Sequence, residues 1–407
     1  MSTAARSAAT SDTIPFLNVI DPEFDFRGPE MIAAQNGNWY AESPIGLVVL
    51  RYTEAQELLR DQRMDHGGGD KYLAANGVVD GPIFDWFVPM IVNHDGDHHR
   101  RLRGLVSKAF TPRMVNNLRP FIRDTAERLA DQVATAGECD FVDDFADPLP
   151  LAVLSELLGV PPADHSTFRR WTTDIGLVFS LAHGGDIRAR VEAAVTGLYG
   201  YVNGLITEKR AKPGNDLISA LVTVQRDDGQ VNEEELRNLI VTLVFAAHDT
   251  TRHQLSNAMV AFAQHPEQWT LLARQPDLIG NAIEEIMRWC PSTGTVYRFA
   301  TEDFDYRGLH LKTGTMITVL VVPAQRDPHV FPDGHLFDIT ATPQAAPIQF
   351  GAGPHHCLGA ALARAELSEA LPALTERLGP PIITGPVAWH PPLGIHGPTT
   401  LPLRFGT

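Results

Sequence analysis

Cysteine is scarce in this chain. Three occur in 407 residues, Cys139, Cys290 and Cys357, without any paired spacing, which excludes a disulfide framework and a multi-cysteine zinc site. Long apolar runs are also missing. The longest, Leu239–Ala247, is interrupted by Thr242 and falls far short of the roughly 20 residues that cross a bilayer. Residues 1–20 carry neither a basic n-region nor an apolar h-region, so no targeting segment is expected and the chain reads as soluble and cytoplasmic, with no membrane partner. Positive charge is short: the formal net charge is -16, which excludes a general nucleic-acid binder, because phosphate contacts need a basic face. No internal repeat or low-complexity linker divides the sequence. With 44% hydrophobic residues it can bury one large core, and the expectation is one domain over 1–407 with a flexible segment over 1–20.

What is present is helical periodicity. Apolar residues recur at three- and four-residue spacing in Pro120–Ala136, Ile187–Arg210, Glu233–Gln264, Asp277–Cys290 and Leu358–Leu378, each predicting an amphipathic helix. Strand signals are few: Leu47–Arg51, and Phe304–Val322, which reads as a hairpin with Gly308 and Gly314 at turns. The fold class is therefore mainly α with small β-sheets. Met64–Met90 and Pro328–Pro354 are the least regular stretches, and loops that long inside a compact domain usually carry function.

In Phe350-Gly351-Ala352-Gly353-Pro354-His355-His356-Cys357-Leu358-Gly359 a glycine-rich loop delivers one cysteine to the start of an alanine-rich helix. Helix-start N–H groups and the helix dipole favour a thiolate there, and a metal would favour it further. A lone cysteine at a helix start is more often a small buried residue. The neighbours reverse that reading, because the segment fits Phe-x-x-Gly-x-x-x-Cys-x-Gly and so resembles the haem-binding loop of the cytochrome P450 family. The resemblance implies the cytochrome P450 fold, with haem b buried between the long central helix and the cysteine-loop helix. It makes Cys357 the axial thiolate ligand of the iron, which favours O–O cleavage. It places Phe350 by the sulfur, His355 at a haem propionate, and Gly353 and Gly359 where backbone must approach the flat cofactor.

Asn232 and Glu235 form a capping box before a helix that runs to Gln264, about 48 Å long at 1.5 Å per residue. Its middle, Phe245-Ala246-Ala247-His248-Asp249-Thr250-Thr251, sets an acid and two hydroxyls in an apolar stretch, and Thr250 can bond back to the carbonyl of Ala246. A polar pair on a solvated face is the bland alternative. The segment resembles the family's oxygen-activation motif, which makes Asp249 and Thr250 the proton-delivering acid and alcohol and sets Ala246 beside the cofactor. Ala247 stands where glycine is usual, adding a methyl group to the oxygen groove. Glu285 and Arg288 share a helix face; as Glu-x-x-Arg they resemble the structural pair that steadies the cysteine loop. The arginine that usually follows Phe-Asp as third partner is absent, since Phe337-Asp338-Ile339-Thr340 continues into Ala341. His99, Arg103 and Arg298 match the cations that hold the propionates.

The resemblance implies a monooxygenase that inserts one oxygen atom from O2 into a small apolar molecule, of terpenoid, steroid or aromatic natural-product class. Trp86, Phe87, Phe245, Val296 and Ile395 are expected to line its pocket, together with residues near Ile175–His183, Gly294 and His396. No flavin or iron–sulfur domain is attached, so a ferredoxin- or flavodoxin-type donor is expected, steered by Arg100, Arg101, Lys108 and Arg113. Two other readings stay open: a haem-thiolate sensor or carrier, and a peroxide-using or isomerising relative.

Overall fold

The computed structural model describes residues 14–178, 186–391 and 393–406. Helices dominate and the sheets are small, as the periodicity requires. The predicted capping box is in place: Asn232 N–H donates to Glu235 Oε2 and Glu235 N–H to Asn232 Oδ1, both at 2.9 Å. From it the central helix Glu233–Gln264 runs for 32 residues, with most of its side chains buried. Helices Pro148–Leu158, His165–Gly176, Ile187–Ala211 and Leu217–Asp228 pack around it. On the other side the cysteine-loop helix, Ala360–Thr375, lies against Pro112–Ala136 and Ile279–Trp289. The helix expected from Pro120 starts at Pro112, where Thr111 caps it by accepting from Met114 N at 3.3 Å.

A five-stranded sheet has the order Tyr40–Ser43, Gly46–Val49, Met316–Leu320, Thr295–Ala300, Met64–Asp65, with one parallel pairing between the second and third. The expected hairpin over Phe304–Val322 is split. Phe304–Tyr306 and Leu309–Leu311 pair around a turn with Arg307 at φ 45° and Gly308 at φ 85°. Gly314, at φ 82°, then turns the chain so that Met316–Leu320 joins the larger sheet instead. Met64–Met90 is more regular than its composition suggests, since helices Gly69–Ala75 and Pro82–Phe87 form within it. Proline at the first helical turn loses no hydrogen bond, so Pro82 starts the second.

The main core lies among the helices, a second beneath the sheet around Trp39, Ile317 and Val319, and a third where the N-terminal segment covers the sheet. That third core corrects part of the expected flexible segment. Leu17 and Val19 are buried, and Leu17 N–H donates to Glu42 O at 2.8 Å; residues 1–13 lie outside the described residues. Among the described residues no helix is long and apolar enough to cross a membrane.

Candidate active site

Two lobes of one cavity separate the central helix from the cysteine loop. The larger, about 340 Å³, is lined by Phe87, His99, Arg103, Phe245, Ala246, Tyr297, His355, Cys357, Gly359 and Leu362 among others. The smaller, about 210 Å³, shares Phe245, Ala246, Ala247, Cys357, Gly359 and Leu362, and adds Thr250, Thr251, Phe350 and Ile395. Cys357 opens onto both.

The loop presents the sulfur through local geometry. Gly351 at φ 67° and Gly353 at φ 66° turn the backbone, Cys357 N–H closes onto Phe350 O at 2.8 Å, and the Arg364 guanidinium covers the Phe350 ring at 4.7 Å. Regular helix begins at Ala360. Burial pushes the Cys357 thiol up, outweighing the opposing pull of the Gly359 and Ala360 N–H groups and of Arg103 and Arg364. Metal coordination would draw off the thiol proton and hold the sulfur as a thiolate. The two glycines also part company. Gly359 lines the cavity, and a Cβ there would sit 3.8 Å from Cys357 Sγ. Gly353 does not; its added Cβ would meet Leu59 O at 3.3 Å and Arg60, so its work is the turn.

Cationic and imidazole groups gather along one edge of the larger lobe. Arg103 Nη2 donates to His356 O at 2.6 Å, which ties it to the cysteine loop. Arg298 lines neither lobe; it is 2% exposed, donates to Tyr297 O at 2.8 Å, and its charge reaches Asp95 and Asp65 through space. His355 Nε2 lies 2.7 Å from Asp95 Oδ1, and the residue lines the larger lobe. It packs against His99 at 4.2 Å. Asp95 Oδ2 accepts from His66 N at 2.9 Å, and His66 Nδ1 is buried without a hydrogen-bond partner among the described residues. Burial first, then the nearby cations, depresses His66 to about 3 and His99 to about 4. The permanent positive charge on this edge comes from Arg103, with that of Arg298 acting through space. A sulfur donor, mainly apolar walls and a cationic edge with an orphaned ring nitrogen suit a flat apolar macrocycle bearing two carboxylates. The residues fit haem. Asp95 and His66 were missed in the sequence, although His66 adjoins the Gly67-Gly68-Gly69 run that marked its loop.

On the central helix, Thr250 Oγ1 donates to Ala246 O at 3.1 Å, and Ala246, Ala247 and Thr250 face the cavity. Asp249 does not. One residue turns about 100° around a helix, which points its carboxylate toward Arg252 Nη2 at 2.9 Å and against Gly176, where a Cβ would fall 2.0 Å from Oδ2. The acid and alcohol expected side by side thus lie on different faces.

Phe87, Phe245 and Ile395 line the cavity, but two other expected wall residues do not. Trp86 is fully buried, edge-on to Phe245 at 5.4 Å. Val296 pairs with Val319 and packs into the core beneath the sheet, leaving Tyr297, on the opposite face of the strand, to reach the cavity. Ile175 and Val178 are core; 179–185 lie outside the described residues. Gly294 N–H bonds Gly394 O at 2.7 Å, and the His396 ring lies against His390 O at 3.1 Å, so both hold the adjoining turns.

Glu285 and Arg288 form a bidentate pair at 2.7 and 2.8 Å. Backbone closes the network that lacks an arginine at position 341: Arg288 donates to Gln325 O, Gly334 O and Leu336 O, and Asp338 N–H reaches Glu285 Oε1 at 2.9 Å. In the basic run, Arg100 pairs with Asp97, and Arg101 with Glu235 at 2.9 Å, so neither offers the uncompensated charge expected for docking.

A family model described as Cytochrome P450 matches residues 78–270 and 276–378. A luteothin monooxygenase from Streptomyces thioluteus is 42% identical over 407 residues, 100% of each chain. A mycinamicin IV hydroxylase/epoxidase from Micromonospora griseorubida is 36% identical over 367 residues, 88% of each chain. Among solved structures, the bacillaene polyketide synthase cytochrome P450 PksS of Bacillus subtilis 168 superimposes with a TM-score of 0.83 at 31% identity, over 94% of this chain and 100% of that one.

Proposed function

We propose that this chain, which belongs to the cytochrome P450 family of haem-thiolate monooxygenases, oxygenates a polyketide-type natural product. Of the relatives, one is named for luteothin, one for mycinamicin IV and one for a polyketide synthase. The last of these names supports a polyketide over the terpenoid, steroid or aromatic classes that the apolar pocket alone allows. The observation that carries the reading is that Cys357, on the cysteine loop, and Thr250, on the central helix, line one lobe from opposite walls. When bound there through the Cys357 thiolate, haem supplies the centre at which O2 is reduced and its O–O bond cleaved. The residues of the chain do the rest. Arg103 and Arg298 neutralise the propionates, Phe87, Phe245 and Ile395 exclude water and orient an apolar substrate, and Thr250 offers a hydroxyl proton on the oxygen side. Electrons come from a separate ferredoxin- or flavodoxin-type donor. Arg113 and Arg60, both exposed, the latter beside the cysteine-loop Gly353, take over the steering role from Arg100 and Arg101.

A binding screen by spin-state change of the ferric protein tests the substrate class. Macrolactones or linear polyketides are expected to give a saturable shift, and a shift from steroids or terpenoids alone would overturn the assignment. With the bound substrate, turnover should need a surrogate ferredoxin or flavodoxin and slow as ionic strength rises. Equal turnover with peroxide alone would favour the peroxide-using reading, and tight binding without any turnover the sensor.

A further inference from the structure

Behind the Thr250 face, the central helix carries a buried charge network that the oxygen-side chemistry does not use. His248 is 1% exposed, and its Nε2 lies 3.0 Å from Asp147 Oδ1 and its Nδ1 3.7 Å from Asp249 Oδ1. Neither ring nitrogen makes a well-formed hydrogen bond among the described residues. Arg252 spans the same two carboxylates, with Nη2 2.9 Å from Asp249 and Nη1 3.5 Å from Asp147. Asp147, which immediately precedes helix Pro148–Leu158, is itself held by Arg169 at 2.6 Å, and Arg169 reaches the surface beside Asp143. Burial would raise the Asp147 carboxyl, but His248, Arg169 and Arg252 outweigh it and hold it at about 2, so it is a carboxylate throughout the physiological range.

We propose that Asp147 and His248 are positioning residues for Asp249: by sharing Arg252 and the imidazole with it, they set how firmly its carboxylate is held away from the cavity. The competition is electrostatic. In a site this dry, a guanidinium divided between two carboxylates binds each less tightly than one serving a single partner. Gly176 closes the other side of Asp249, so the grip of Arg252 and His248 is what the carboxylate must escape to serve Thr250. Without the Asp147 charge, Arg252 falls wholly to Asp249 and proton delivery slows. Asp147 lines neither lobe of the cavity and acts through this network.

The inference rests on the monooxygenase reading, and the test separates the two. In Asp147→Asn, product formed per electron is expected to fall about threefold to tenfold, the range of one charged contact at a buried acid. The solvent isotope effect on turnover should rise, with the carbon monoxide spectrum and substrate affinity unchanged. Combined with Thr250→Ala, the defect should not add, because both act on one proton path. In the diamagnetic carbon monoxide complex of the ferrous protein, the His248 ring nitrogen resonances, identified by their absence in His248→Gln, should move in both Asp147→Asn and Asp249→Asn. Asp147→Glu should restore most of the coupling. If Asp147→Asn does not fold, His248→Gln, which leaves Asp147 both arginine partners and removes one of the two groups gripping Asp249, carries the isotope test with the opposite sign, a smaller solvent isotope effect than the parent's. Unchanged coupling in folded Asp147→Asn, an unchanged isotope effect in folded His248→Gln, or a His248 signal indifferent to Asp249→Asn, overturns the proposal. If Thr250→Ala also stays fully coupled, the oxygen-side reading itself is what has failed.

Discussion

Thr250→Ala is expected to fold, take up haem and bind substrate as the parent does, yet return about tenfold less product per electron, with hydrogen peroxide in its place. The size follows from removing a positioned proton donor, which is commonly worth 10²-fold or more in the step it serves. The fold should not notice. The hydroxyl bonds a helix carbonyl, Ala246 O at 3.1 Å, and such bonds compete with the helix ladder as much as they support it, so the stability change stays below about 1 kcal/mol. Thr250→Ser keeps the hydroxyl and should recover most of the coupling. Product and electron consumption measured together decide the matter, and full coupling in the alanine variant would remove Thr250 from the proton path.

The largest structural effect is expected at Arg288. Its guanidinium and Glu285 are 12% and 7% exposed, so Arg288→Ala leaves a buried carboxylate without its cation and three backbone carbonyls, of Gln325, Gly334 and Leu336, without a donor. Breaking one partner of such a pair costs roughly 3–5 kcal/mol. Whole domains are stable by only about 5–15 kcal/mol, so little holoprotein should accumulate. Arg288→Lys should rescue poorly, because an ammonium cannot reproduce the bidentate fork while also reaching the carbonyls. Thermal unfolding and the haem-to-protein ratio measure both effects. An alanine variant that melts with the parent would show that the backbone contacts hold this region without the ion pair.

Where signals were local, the sequence spoke clearly. The capping box at Asn232 and Glu235 marks the central helix at its first residue, and proline after His265 marks its end. The cysteine loop is legible because its glycines, its cysteine and the following helix fall within ten residues. What was missed depends on contacts between distant segments. His355 and Asp95 are separated by 260 positions, and nothing near either residue names the other. Asp249 was placed with Thr250 because the motif sets them side by side in sequence, although adjacent helical residues diverge by about 100°. The strand Met316–Leu320 was given to a local hairpin because its alternation cannot say which edge it pairs with; the turn at Gly314 and the waiting strands Gly46–Val49 and Thr295–Ala300 decide that. Trp86 and Phe87 look alike in composition. They separate because Phe87 reaches the cavity while Trp86 packs edge-on behind Phe245.

Haem ligation by Cys357 is the claim on which the rest depends, and the spectrum of the reduced protein with carbon monoxide tests it most directly. The parent protein should show the strongly red-shifted Soret band of a thiolate-bound ferrous complex, and Cys357→Ser should lose it while the cationic edge at Arg103 and Arg298 still retains some haem. A band at the unshifted position in freshly reduced, folded parent protein, or a red-shifted band that survives in Cys357→Ser, would contradict the assignment.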